Sequence, residues 1–87
     1  MIEKVRRALR LKTEAYDEEL RGLIDAARAD LELAGIKNAE NSDPLIDRAV
    51  ITFCRVNFGS PEDYARLKAS YDEQKAQLQM ATGYGLE

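Results

Sequence analysis

At 87 residues, with 45% apolar and 33% charged side chains, the chain is sized for one small globular domain with a heavily solvated outside. A net charge of −3 gives the whole chain no general attraction to nucleic acid or membrane, and a single cysteine without histidine excludes an internal disulfide, a metal cluster and His-based catalysis. No apolar run approaches the ~20 residues of a membrane span, and no signal-peptide core follows the early basic residues, so the expected compartment is intracellular.

The first predicted helix reads "IEKVRRALRL", with Ile2, Val5 and Leu9 on one stripe. Residues 1–12 hold Lys4, Arg6, Arg7, Arg10 and Lys12 against Glu3 alone, which leaves the remainder acidic. Such a split lets copies of one chain attract head to tail, or lets a basic edge face an acidic or phosphate-bearing partner. After the connector "KTEAYD", a second helix is expected from Asp17 as N-cap, with Glu18 and Glu19 in its first turn. Leu20, Leu23, Ile24, Ala27, Leu31 and Ala34 follow at spacings of three and four, and Gly35 closes it.

Beyond the polar loop 36–43, Asp43 and Pro44 open a third helix as N-cap and first helical residue. Leu45, Ile46, Ala49, Val50, Ile51, Phe53, Cys54 and Val56 cover more than half its circumference, which makes it the central helix, and Gly59 stops it. "SPED" restarts the chain with Ser60 as cap, Pro61 in the first position and Asp63 as a capping-box acid. The fourth helix runs to about Ala81, and Gly83 ends it. The expected fold is all-α: a small four-helix domain over residues 1–85, with a long last helix and a short tail. Leu86-Glu87 read as an expression-tag remnant and are left aside.

Catalysis finds little support. Ser42, Ser60 and Ser70 have no histidine to activate them, and most acidic residues are explained by helix first turns or polar faces. No Gly-rich phosphate loop is present, and no cofactor is called for. Cys54 reads as a buried small hydrophobe rather than a reactive thiol. The basic first helix could contact DNA, an acidic protein neighbour or only solvent. It lacks interleaved aromatics, and the gap between helices two and three is too long for a helix-turn-helix.

The last helix has two faces. Tyr64, Leu67, Tyr71 and Leu78 fall within about 60° of one another and should pack on the core. Ala65, Ala69, Ala76 and Met80 lie on another side, where small side chains would admit a second helix, although alanine is also simply the best helix former. Residues 61–81 would make ~31 Å of helix at ~1.5 Å per residue, as long as a compact domain of this size is wide. That places Tyr84, between Gly83 and Gly85, at the edge as a docking aromatic.

Four stretches together, "VRRALRL", "D-x-x-L-x-x-L-I-x-x-A-R" (Asp17 to Arg28), "DPLIDRAVITFCRVNFG" and "DYARLKASYDEQKAQLQMATGYG", resemble the small head–tail connector, or DNA-packaging adaptor, proteins of long-tailed bacteriophages and prophages. The resemblance implies a structural, non-catalytic subunit needing no cofactor. Such subunits assemble as a ring beneath the twelve-fold portal vertex, extend the DNA channel and form a platform for the next head-completion or tail protein. The implied partners are further copies of the chain, the portal protein and that next protein, with DNA passing through without sequence-specific binding and no membrane. The implied location is the virion's head–tail junction, after assembly in the host cytoplasm. It implies portal docking for the tail, namely Gln77, Leu78, Met80, Gly83, Tyr84 and Gly85, and contact roles for Arg6, Arg7 and Arg10; helical spacing adds the strip Ala65, Ala69 and Ala76 as a place for a subunit contact to form. Two other readings stay open: a small helical nucleic-acid-binding regulator using the basic first helix, and a general helical interaction module.

Overall fold

The computed structural model describes residues 1–39, 43–59 and 61–81, which form four α-helices with no strand among the described residues. They are α1 (Ile2–Ala8), α2 (Asp17–Leu33), α3 (Pro44–Asn57) and α4 (Tyr64–Met80). α3 is the hub: α1, α2 and α4 all pack on it. Its Ile46, Ala49, Val50 and Cys54 are fully or almost fully buried. They meet Val5 of α1, the stripe Leu20, Ile24, Ala27 and Leu31 of α2, and Tyr71 and Leu78 of α4. Spacing of three and four keeps each set on one side of its helix, and burial of that side supplies most of the helix's stability.

The ends of α1 and α2 show one device with two different residues. In α2 the Gly35 amide donates to Glu32 O at 2.9 Å and the Ile36 amide to Leu31 O at 3.0 Å. This is the Schellman closure, with Gly35 at φ 86° in the left-handed region and Ile36 buried behind it. α1 closes identically, Arg10 N to Arg7 O at 3.1 Å and Leu11 N to Arg6 O at 2.9 Å. There an arginine takes the left-handed position, at φ 60°, with a Cβ that opposes it by ~1–2 kcal/mol. Leu11 then packs against the core.

At α3 the expected cap is in place: Asp43 Oδ1 accepts from the Leu45 and Ile46 amides at 2.9 and 3.4 Å, and Pro44 takes the first helical position. Two other expected caps are corrected. Tyr16, not Asp17, holds the N-cap position of α2; Asp17 is the first helical residue, buried, with its carboxylate turned to α1. Asp63, expected in the first turn, instead holds the N-cap position of α4; among the described residues its side chain makes no capping bond and accepts from Arg66 Nη2 at 2.7 Å. The expected Ser60 cap lies outside the described residues.

α4 accordingly starts at Tyr64 rather than Pro61, and its 17 residues span ~26 Å. That is shorter than the ~31 Å that residues 61–81 would make, and well short of the molecule's longest dimension of 41 Å. The late start also removes Tyr64 from the core stripe. It sits in the first turn, 52% exposed, while Leu67, Tyr71 and Leu78 are buried as expected.

Candidate functional site

The basic first helix uses two of its cations to hold itself down. Arg6 donates to Asp17 through Nε at 2.8 Å and Nη2 at 3.2 Å, a two-pronged pair that planar guanidinium and carboxylate groups favour. That hydrogen bonding raises the Arg6 pKa above its ordinary value. Lys4 Nζ reaches Asp47 Oδ2 of α3 at 3.0 Å, where the carboxylate side chain is only 8% exposed. A seven-residue helix is too short to persist alone, so these pairs and buried Val5 fix it on α2 and α3. Arg6 is therefore turned inward within the subunit. Arg7, Arg10 and Lys12 remain exposed, with no ion pair among the described residues.

Tyr64 apart, α4 divides as its sequence predicts. Ala65, Ala69, Ala76, Gln77 and Met80 face outward, with Met80 87% exposed. Leu78 is 3% exposed and belongs to the core. Gly83, Tyr84 and Gly85 lie outside the described residues.

A polar tie between α2 and α4 escaped the sequence reading. The Tyr71 hydroxyl donates to Asp30 Oδ2 at 2.5 Å, and Lys75 Nζ donates to the same oxygen at 3.1 Å. Lys75 also sits 5.2 Å from the Tyr71 ring centroid, and Phe53 meets that ring edge-on at 5.4 Å. Partial burial works to raise the Asp30 pKa, but the bonds from Tyr71 and Lys75 outweigh it and hold the carboxyl below its ordinary value. Burial first, and Asp30 second, push the Tyr71 phenol well up. The available signal was a tyrosine on an inward stripe, whose hydroxyl needs a partner.

Gln79 Nε2 donates to Ala34 O at 2.7 Å, joining the ends of α2 and α4. This brings two large exposed apolar side chains, Leu33 and Met80, to one end of the molecule. Leu33 was also missed; its signal is an apolar residue lying off the buried stripe of α2. On another side, a groove of about 360 Å³ runs between the start of α3 and the end of α4, lined by Leu45, Arg48, Gln74, Gln77, Leu78 and Ala81.

Cys54 is fully buried, and burial pushes its thiol up to about 12, so it stays a protonated apolar filler at neutral pH. Among the described residues no group of three or more His, Cys, Asp or Glu side chains could hold a metal ion. No helix is long and apolar enough to cross a membrane. What the surface presents is contact chemistry: three exposed cations at one edge, a smooth outer strip on α4, and an apolar end.

A small all-α domain with these surfaces has the means to contact other chains. The family described as phage connector protein matches residues 1–85, and the chain belongs to that family. It is thus a phage head–tail connector by family, with a structural role in the particle, assembling with head and tail components. No curated protein and no solved structure matches the chain significantly.

Proposed function

We propose that the chain is one subunit of a connector ring that docks below the portal, extends the DNA channel and offers a platform for head completion or tail attachment. The observation that carries this reading is the family match over residues 1–85, which runs through all four helices and into the tail. Twelve copies would match a twelve-fold portal, at the head–tail junction of the virion, following assembly in the host cytoplasm. DNA would pass through without sequence-specific binding.

Exposed Arg7 and Arg10 on one edge and the strip Ala65, Ala69 and Ala76 on α4 are the proposed subunit contacts. A basic edge meeting an acidic remainder suits a heterologous interface, which closes into a ring when the rotation permits. Arg10 supports this role further, because it keeps a side chain where glycine would be easier on the backbone. Gln77, Met80, Gly83, Tyr84 and Gly85 are the proposed portal-docking residues, with Leu78 anchoring the helix that carries them. The regulator reading is weakened by the pairing of Lys4 and Arg6, which leaves few cations on a two-turn helix for phosphates.

Co-sedimentation with portal particles tests the proposal, with native mass spectrometry to count subunits. Deleting Thr82–Glu87 should leave helicity and thermal midpoint nearly unchanged while abolishing portal binding. Salt-dependent binding to duplex DNA without any binding to portal would overturn the proposal in favour of the regulator.

A further inference from the structure

The groove between the start of α3 and the end of α4 presents three kinds of chemistry. Leu45, 52% exposed, and Ala81 give it apolar walls over a floor of buried Leu78. At about 360 Å³ it far exceeds a single water's share of ~30 Å³ and is roomy enough for a branched aliphatic side chain. Arg48 at its rim is exposed and forms no ion pair among the described residues. The Gln74 side-chain oxygen in its wall is buried and accepts no hydrogen bond among the described residues. A buried acceptor left so is costly, so the fitting occupant combines an apolar side chain, a carboxylate and a donor.

The end of α2 carries that combination on the surface of the same chain. Leu33 is 88% exposed, and its neighbour Glu32 is exposed and forms no ion pair among the described residues. α2 has no basic residue in its last turn, so the negative end of the helix dipole adds to Glu32. Lys37, exposed four residues beyond Leu33, supplies the donor. Met80, the other exposed apolar side chain at this end, stands between Gln79 and Ala81 and brings no charge to meet Arg48.

Leu33 does not fill the groove of its own subunit. Gln79 Nε2 donates to Ala34 O at 2.7 Å, which seats the end of α2 on one side of α4. Gln77, which lines the groove, points to the other side, because two residues turn a helix by ~200°. Projection and groove therefore lie on opposite flanks of α4, and one subunit can use both at once. A contact of that kind is heterologous and propagates from copy to copy.

We propose that the groove is occupied by the end of α2 from a second copy of this chain. Its Leu33 sits among Leu45, Leu78 and Ala81, its Glu32 pairs with Arg48, and its Lys37 Nζ donates to Gln74 Oε1. A second hollow of about 410 Å³ shares Arg48, Gln74 and Gln77 and reaches Ala69, so the groove and the proposed alanine contact form one continuous surface. For closure into a ring the proposal rests on the connector-ring reading, for which it names the contact between neighbours.

The test is disulfide trapping between two full-length variants, Leu33→Cys and Leu45→Cys, each altered at an exposed position and checked for helicity by circular dichroism. Mixed under mild oxidation, the two should cross-link at least ~10-fold faster to each other than to themselves, since only that pair comes within the ~7 Å Cα separation a disulfide needs. Adding Glu32→Arg to the first variant should slow the reaction ~10-fold, and adding Arg48→Glu to the second should restore it. Cross-linking no faster between the variants than within either overturns the proposal. So does faster pairing of the Leu33→Cys variant with itself, which would make the apolar end a symmetric contact. If wild-type rings still form on portal particles after such a result, the ring reading stands without this contact. Preferential cross-linking between the variants in a protein that forms no ring on portal particles supports the contact and sinks the ring reading.

Discussion

Tyr71→Phe isolates one bond between helices that are otherwise linked mainly through α3. The variant keeps the ring, and with it the edge-on contact to Phe53 and the proximity of Lys75, and removes only the hydroxyl that donates to Asp30. A hydrogen bond to a charged partner contributes ~1.5–3 kcal/mol, but the Asp30 side chain is 36% exposed and water replaces part of the loss. About 1 kcal/mol is therefore expected, which lowers the thermal midpoint of a domain this size by ~4–8 °C. The pH dependence separates this from a packing defect. Asp30 has its folded pKa depressed below the ordinary 3.8, so its contribution is present above that value and is lost as pH falls through the folded one. The gap between wild type and variant in urea melts, followed by far-UV circular dichroism, should be flat from about pH 5 to 7 and narrow on acidification below about pH 4. Lys75 remains on Asp30 in both proteins, so neither loses the depression entirely. No gap at pH 7, or an equal gap in strong acid, would refute the assignment.

Leu78→Asp places a charge at a position 3% exposed and should cost ~4 kcal/mol or more, a large part of the ~4–13 kcal/mol expected for 87 residues. A melt like that of wild type would mean the inner and outer faces of α4 are exchanged. Arg10→Gly should stabilise the isolated subunit by ~0.5–1 kcal/mol, since glycine takes the left-handed position freely but gains freedom when unfolded. Its ring yield in native mass spectrometry should nevertheless fall, and an unchanged yield would remove Arg10 from the subunit contact. Cys54 in the native protein should react with a disulfide-exchange reagent far more slowly than in denaturant, and equal rates at neutral pH would contradict its burial.

The stripes Leu20–Ile24–Ala27–Leu31 and Leu67–Tyr71–Leu78, the Asp43-Pro44 start and the Gly35 stop were all legible in the sequence. Each depends on residues within a turn or two of one another, and helical geometry alone then decides which share a face. The central place of α3 was legible for the same reason, because apolar residues on more than half its circumference need neighbours on several sides.

Pairings between helices were not legible. Asp17 has the ideal chemistry for a cap, yet Arg6 claims it, because the core sets α1 at the distance where a two-pronged ion pair forms. Asp30 meets Tyr71, and Leu45 opens a groove beside Leu78, for a similar reason. By itself the sequence determined most of the residues that turn inward, Tyr64 being an exception, and where most helices begin and end. Only the tertiary structure decided which charges are used up inside the subunit and which remain for a neighbour. That choice depends on the rotation and slide of one packed helix against another, which the burial of the whole core sets and no short stretch of sequence encodes.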